Sequence, residues 1–123
     1  MKRITISSSL KFVKEIKQTI KKLEKFDVVA LFPHLDSPIE FEHLTLEIMK
    51  MLETEHFKAI DESEAVYVIC PKGYVGKLVS AEIGYATAKG KPIIFSEIPE
   101  DLGLQALASS YIPLKEVERL KDL

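Results

Sequence analysis

The sequence contains few of the residues that mark specialised protein classes. Of its 123 residues, one is cysteine, none is tryptophan and five are glycine. A lone cysteine, Cys70, excludes an internal disulfide and is typical of a reducing cytoplasm. The apolar runs fall far short of the ~18 residues that a membrane span requires. Residues 1–3 lead into a strand pattern and not into the apolar segment of a signal peptide. We therefore expect a cytoplasmic protein without a membrane partner.

An excess of basic charge is also absent, and this argues against a nucleic-acid partner. The chain has 17 Lys and Arg against 19 Asp and Glu, a net charge of −2 at pH 7. Residues 10–25 interleave lysines with apolar residues at a spacing of three or four, which predicts an amphipathic helix with a solvated basic face. That face lacks arginines and a platform of stacking aromatics, so we expect no nucleic-acid binding. The length and the hydrophobic content of 46% favour one globular domain over residues 1–123.

Strand and helix patterns alternate along the chain. The runs with the composition of strands are residues 3–6, 28–32, 65–70, 92–95 and 111–112. The helical segments are residues 9–25, 39–64, 77–89, 103–109 and 114–121. This alternation predicts right-handed crossovers and a three-layer α/β sandwich around a parallel sheet. We expect its core to contain Ile4, Ile6, Val29, Leu31, Val66, Val68, Ile93 and Phe95.

Capping residues predict where the helices begin and end. Ser8 or Ser9 is suited to cap the first helix, and Ser37-Pro38 has the pattern of a cap followed by proline at the first helical position. The second helix is either continuous over 39–64 or interrupted near Thr54. Gly90 is placed to end the third helix.

Ligands of open parallel sheets bind beyond the carboxyl ends of the strands. The candidate segments are therefore 7–9, 33–37 and 72–82. The first turn has neither the GxGxxG nor the GxxxxGK[ST] pattern, so we expect no NAD or ATP site there and no cofactor. Three serines at a helix N-terminus can bind an anion or can simply cap the helix, and the residues leave both alternatives open.

Individual side chains point to different chemistry. Glu82 lies in the early turns of a helix between apolar residues, where the helix dipole is expected to keep it ionised. An ionised carboxylate beside apolar walls can attack a sugar carbon, although an ordinary glutamate that complements the dipole fits the pattern as well.

The histidines His34, His43 and His56 lack metal-ligand spacing, so we expect surface or capping roles and no metal. Cys70 ends a buried strand and is expected in the core.

Four stretches of the chain together resemble the nucleoside 2-deoxyribosyltransferase superfamily, which includes the 2′-deoxynucleoside 5′-phosphate N-hydrolases. They are His56-Phe-Lys-Ala-Ile-Asp-Glu-Ser-Glu-Ala-Val-Tyr-Val-Ile-Cys70, Gly73-Tyr-Val-Gly76, Ala81-Glu-Ile-Gly-Tyr-Ala86 and Gly90-Lys-Pro-Ile93. The first βα turn, Ile6-Ser-Ser-Ser-Leu-Lys-Phe12, is similar to that of a small bacterial and archaeal branch of the superfamily. The resemblance covers about residues 3–98.

The resemblance implies a flavodoxin-like sheet in the order 2-1-3-4-5 and a homo-oligomer, a dimer or larger. It implies that Glu82 attacks C1′ of a deoxyribosyl group of a nucleoside or nucleotide, and that a second base or water completes transfer or hydrolysis. His56 aligns with the family's base-positioning aspartate and would contact or protonate the base. The residues that would bind substrate are Ser7, Ser8, Ser9, Phe12, Pro33, His34, Tyr74 and Gly76.

The chain also departs from the family pattern near the nucleophile. Gly76 stands where the transferases have an acid and the N-hydrolases a serine, and Leu78 and Val79 replace small or hydroxyl residues. These departures favour a second hypothesis, a non-catalytic nucleotide-binding module on the same fold. A phosphorylatable receiver domain has a similar topology, but it needs acidic residues after the first strand and an aspartate after the third, where this chain has Ser7–Ser9 and Cys70-Pro71.

Overall fold

The computed structural model describes residues 2–33, 35 and 44–123. Strands and helices alternate in these residues as the sequence predicts. The elements are β1 (Lys2–Ser7), α1 (Val13–Glu24), β2 (Val28–Leu31), α2 (Leu46–Asp61), β3 (Ala65–Val68), α3 (Lys77–Ala88), β4 (Ile93–Phe95), α4 (Leu102–Gln105) and β5 (Ser110–Tyr111). Among the described residues, 3-10 helices cover Leu10–Phe12, Pro71–Gly73 and Leu114–Asp122.

The strands form one parallel sheet in the order β2-β1-β3-β4-β5. The register pairs Thr5 with Leu31 on one side and with Val66 on the other, and Val66 in turn with Ile93. Each pairing is parallel. The flavodoxin-like α/β fold and the order 2-1-3-4-5 are therefore confirmed.

Each face of the sheet buries its own hydrophobic cluster, and alternate residues of the central strand β3 belong to opposite clusters. Tyr67 joins the cluster beneath α1 and the C-terminal 3-10 segment, while Val66 and Val68 join the cluster beneath α2 and α3. This alternation follows from the two-residue period of a strand. The result is the predicted three-layer sandwich.

Six of the eight predicted core residues are fully buried: Ile4, Ile6, Val66, Val68, Ile93 and Phe95. The prediction is wrong for Val29 and Leu31, which are half-buried. Their strand, β2, lies at the edge of the sheet and pairs with β1 alone. A run of apolar residues indicates burial, but it does not distinguish a central strand from an edge strand.

The second helix differs from its prediction at its start. Thr45 has an extended backbone and caps α2, accepting a hydrogen bond from the Ile48 N–H at 3.2 Å. A continuous helix from residue 39 is therefore wrong, and α2 instead runs unbroken from Leu46 through Thr54 to Asp61. The predicted cap at Ser37-Pro38 lies outside the described residues.

The other helix ends agree more closely with the sequence. Ser9 caps the turn that precedes α1, and Gly90, with a φ of +72°, follows α3 and donates its N–H to the Thr87 carbonyl. The predicted terminal helix is a 3-10 segment, Leu114–Asp122. None of the helices in the described ranges has the length and apolar character needed to cross a bilayer.

Candidate active site

A cavity of about 470 Å³ opens at the carboxyl edge of the sheet. Its walls come from the segments that follow β1, β2 and β3 and from the facing sides of α2 and α3. The lining residues are Ser8, Ser9, Leu10, Phe32, Pro33, Leu44, Met49, Leu52, Glu53, His56, Tyr74, Gly76, Lys77, Leu78, Val79 and Glu82. Parallel strands end at the same edge, which is why segments distant in sequence meet here.

Most of the predicted site residues line this cavity. They are Ser8, Ser9, Pro33, His56, Tyr74, Gly76 and Glu82. Ser7 is fully buried below them and bonds to His56, and Phe12 packs edge-to-face on Tyr74 with ring centroids 6.0 Å apart. The structure thus brings the lining residues together, with Ser7 and Phe12 behind them. His34 lies outside the described residues.

The three serines of the first turn have different partners. The Ser9 hydroxyl accepts from the Lys11 N–H at 3.3 Å and caps the turn. Ser8 donates to the Ile69 carbonyl at 2.9 Å, which ties the turn to the segment after β3. The Ser7 hydroxyl lies 3.0 Å from His56 Nε2. Capping therefore occupies one serine, and a second belongs to the buried polar cluster.

Glu82 lies at the buried end of this cluster. It is the sixth residue of α3, and it is 5% exposed although it lines the cavity. Its Oε1 lies 3.1 Å from His56 Nε2, which in turn lies 3.0 Å from the Ser7 hydroxyl. Side chains from β1, α2 and α3 thus converge on one carboxyl group.

The expectation that the helix dipole keeps Glu82 ionised is wrong. Burial raises the pKa of Glu82 to about 9, with repulsion from Glu53 as the second cause, and the hydrogen bond from Ser7 lowers it less. A helix dipole acts mainly within the first turn, whereas Glu82 is in the second. Desolvation therefore outweighs the dipole at this position.

His56 is not the surface or capping histidine that the sequence predicts. It is 6% exposed, and its ring packs edge-to-face against Phe32 with centroids 5.8 Å apart. Burial lowers its pKa to about 4, so the imidazole is neutral at pH 7. A neutral ring has one N–H donor and one acceptor nitrogen, and Nε2 is the atom that Ser7 and Glu82 share.

Sequence reasoning missed Glu53, a third ionisable group of the cluster. Glu53 lies on α2 one turn before His56 and lines the cavity, where its charge raises the pKa of Glu82. Met49, Leu52, Glu53 and His56 share one helix face because their spacings are three and four. The signal that could have identified Glu53 is a carboxylate on a helix face that it shares with the apolar residues Met49 and Leu52.

The remainder of the cavity wall is largely apolar. Phe32, Leu44, Met49 and Leu52 come from the α2 side, and Leu78 and Val79 from the start of α3. Such a wall suits a flat, weakly polar group, while the polar cluster below fixes the orientation of whatever binds. Lys77 lines the mouth of the cavity, and the Lys11 ammonium lies 3.2 Å from the centroid of the Tyr74 ring.

Cys70 belongs to the core, as the sequence predicts. It is fully buried, its sulfur lies 3.2 Å from the Glu97 carbonyl, and burial raises the pKa of its thiol. Within the described ranges, no three His, Cys, Asp or Glu side chains are grouped so as to hold a metal ion.

The comparisons with known proteins bear on the fold. A 2-deoxyribosyltransferase of the psychrotolerant bacterium Bacillus psychrosaccharolyticus superposes with a TM-score of 0.68 at 17% identity, over 94% of this chain and 90% of that chain. The chain has the fold of a 2-deoxyribosyltransferase. A conserved protein of Enterococcus faecalis V583 superposes with the same TM-score at 15% identity, over 98% of this chain and 99% of that one. The resemblance seen in the sequence is thereby confirmed at the level of the fold. No protein-family model and no curated protein matches the sequence.

Proposed function

We propose that this protein cleaves or exchanges the N-glycosidic bond of a 2′-deoxynucleoside or its 5′-phosphate, with Glu82 as the nucleophile. The observation that carries the proposal is a buried carboxyl that lines a ligand-sized cavity, 3.1 Å from a His56 nitrogen that also contacts Ser7. The fold shared with a 2-deoxyribosyltransferase supports the same reaction class.

The reaction proceeds in two displacements. A Glu82 carboxylate oxygen attacks C1′, the bond from C1′ to the base nitrogen breaks, and the base leaves with the electron pair and takes up a proton. The product of this step is a deoxyribosyl ester of Glu82. A second base then attacks C1′ to give exchange, or water attacks to give hydrolysis, and Glu82 leaves as a carboxylate.

The surrounding residues bind and orient the substrate. The apolar wall of Phe32, Leu52 and Leu78 accommodates the base, and His56 contacts it. The serine turn and the first N–H groups of α3, beyond Gly76, hold a sugar hydroxyl or a phosphate, because a helix N-terminus favours negative charge. The chemistry needs no cofactor.

The test is a measurement of free base released from each 2′-deoxynucleoside and each 5′-monophosphate, with and without a second base as acceptor. We expect release or exchange with at least one donor, and none with Glu82→Gln, because an amide cannot form the sugar ester. Glu47→Gln is the matched control, since Glu47 is an exposed residue in the first turn of α2. A 2-fluoro-2-deoxyribosyl donor should leave a covalent adduct on Glu82 that mass spectrometry detects. Full activity in Glu82→Gln would overturn the mechanism.

A second candidate function is nucleotide binding without turnover. The raised pKa of Glu82 favours it, because a protonated carboxyl is a poor nucleophile, and so does the apolar character of Leu78 and Val79. Thermal shifts with the same donors, in the absence of base release, would support this function over the first.

A further inference from the structure

The cavity holds a second carboxyl group, Glu53, that the reaction above does not use. Its Oε2 is buried and has no hydrogen-bond partner among the described residues. Glu53 on α2 and Glu82 on α3 both line the cavity, and the charge of Glu53 raises the pKa of Glu82, so the two acids form an interacting pair across the two helices. Buried polar atoms without a partner are rare in folded proteins and call for an explanation.

Two carboxyl groups that line the same partly buried cavity cannot both be ionised at low cost, because like charges repel and neither group is fully hydrated. Burial raises the pKa of both groups. Among the described residues, the neighbouring groups are neutral His56 on α2, the Ser7 hydroxyl on β1 and Lys77, which lines the cavity at the exposed start of α3. None of the three is a buried cation that would neutralise a second negative charge.

We propose that Glu53 and Glu82 hold one proton between them and that Glu53 delivers this proton to the leaving base. The inference rests on the proposed function, and it adds a catalytic acid that the sequence did not reveal. Two observations support it: the side chains of Glu53 and Glu82 line the same cavity, and the Glu53 Oε2 is buried without a hydrogen-bond partner among the described residues.

In the first displacement, the shared proton resides on Glu53, so Glu82 is the carboxylate that attacks C1′. The bond from C1′ to the base breaks, and the Glu53 proton moves to the departing nitrogen. In the second displacement, water or a second base attacks C1′, gives its proton to Glu53, and Glu82 leaves as the carboxylate. The pair thereby returns to its starting state with one proton.

Glu53 suits this role better than His56 does. His56 Nε2 already contacts Ser7 and Glu82, at 3.0 Å and 3.1 Å. The imidazole holds no extra proton at neutral pH, because burial lowers its pKa to about 4. We therefore assign His56 the orientation of the base and Glu53 the proton transfer.

The first experiment measures the pH profile of base release for the wild type, Glu53→Gln, Glu53→Asp and the control Glu47→Gln. We expect Glu53→Gln to lower kcat about 10²–10⁴-fold, the usual contribution of a general acid. It should also remove the decline in activity at high pH that accompanies loss of the shared proton. Glu53→Asp should recover part of the rate, and Glu47→Gln should match the wild type.

The second experiment is a carbon-13 NMR titration of the glutamate carboxyls, which needs no turnover. In the wild type, we expect the Glu53–Glu82 pair to retain one proton at pH 7. In Glu53→Gln, we expect the pKa of Glu82 to fall below about 9, because the repulsion from Glu53 is gone. Two ionised carboxyls at pH 7 would overturn the shared proton.

The outcomes separate this inference from the proposed function. Wild-type activity with an unchanged kcat and pH profile in Glu53→Gln overturns the role of Glu53 alone. Absence of base release by the wild type overturns the proposed function and the donor role together. In that case, the NMR titration still decides whether the two carboxyls share a proton.

Discussion

Burial shifts the pKa values of Glu82 and His56 in opposite directions, and it favours the neutral form of each side chain. It raises the pKa of Glu82 to about 9 and lowers that of His56 to about 4. Desolvation disfavours a charged form whatever its sign, so burial opposes ionised Glu82 and protonated His56 alike. A ligand that supplies hydrogen-bond donors would make ionised Glu82 less costly.

The pH dependence of stability should report the state of Glu82. Folded Glu82 binds its proton more tightly than the unfolded chain does, so stability falls as pH rises from about 4.5 to about 9. His56 acts oppositely, since the stability of its neutral form is lost as pH falls from 6.5 towards about 4. Above pH 6.5 the effect of the carboxyls therefore dominates.

We expect the wild type to lose stability between pH 6.5 and 9, by at most ~1.4 kcal/mol per pH unit for each proton. Glu82→Gln should reduce this slope, because glutamine does not ionise. Urea unfolding at several pH values measures it, with Glu47→Gln as the control. An equal slope in Glu82→Gln and the wild type would show that Glu82 ionises normally.

The sequence identified some site residues and not others for a physical reason. Glu82 and His56 were found because they lie in stretches that resemble a known family. Glu53 lies outside those stretches, and its significance depends on proximity to Glu82 across two helices. The ionisation state of Glu82 was mispredicted because the dipole can be inferred from helix position, whereas burial requires the packed structure.

At the scale of elements, the position of a strand in the sheet decides how much its apolar residues contribute. Val68 on β3 is fully buried between β1 and β4, whereas Val29 on the edge strand β2 is half-buried. Val68→Ala should cost ~1–3 kcal/mol of unfolding free energy, because a packed interior cannot fill the space left behind. Val29→Ala should cost less. Chemical denaturation of both variants provides the measurement, and equal losses would contradict the burial argument.

The turn after β3 depends on a glycine. Gly73 has a φ of +79°, and a Cβ there would lie 2.7 Å from the Ile98 carbonyl oxygen and 3.0 Å from the Glu100 nitrogen. Gly90 has a similar φ of +72° with open space around it. An alanine at either position would strain the backbone, but only at Gly73 would its Cβ also clash with neighbouring atoms. Comparing the two substitutions therefore distinguishes the cost of strain from the cost of the clash.

We expect Gly90→Ala to cost ~1–2 kcal/mol, the usual penalty for a left-handed L-residue. Gly73→Ala should cost clearly more, since backbone atoms must move as well, and should disturb ligand binding because Tyr74 and Gly76 follow directly. Thermal denaturation and ligand-induced thermal shifts test both effects. A smaller loss in Gly73→Ala than in Gly90→Ala would refute the clash.

The order and type of the elements could be predicted from the period of the apolar residues and from the residues that end each run, because each strand is short, apolar and bounded by Pro, Ser or Gly. The start of α2 at Leu46 did not, since the residues from 39 to 45 fit the same helical pattern. The edge position of β2 also depends on long-range pairing that no local pattern encodes.

At the scale of the whole molecule, the cavity lies where the topology places ligands. The chain order reverses at β1, which pairs with β2 on one side and β3 on the other, and the segments after all three strands line the cavity. The start of α3 lines the cavity too, and a helix N-terminus favours a negatively charged group. The fold thus explains the place of the cavity, and the Ser7–His56–Glu82–Glu53 cluster is where we propose that the reaction takes place.

The exposed apolar residues beside this cavity lead us to expect a homodimer. Met49 and Leu52 line the cavity, and Phe57 stacks on Tyr85 within the chain. Leu46 on α2 is 70% exposed, Met51 40% and Leu78, on the adjoining α3, 46%. Exposed apolar residues on two adjoining helices favour self-association through a two-fold contact. Light scattering at micromolar concentration should give twice 13.9 kDa for the wild type, and the double substitution Leu46→Glu with Met51→Glu should give 13.9 kDa. A wild-type mass of 13.9 kDa would show that these residues do not bind a second copy.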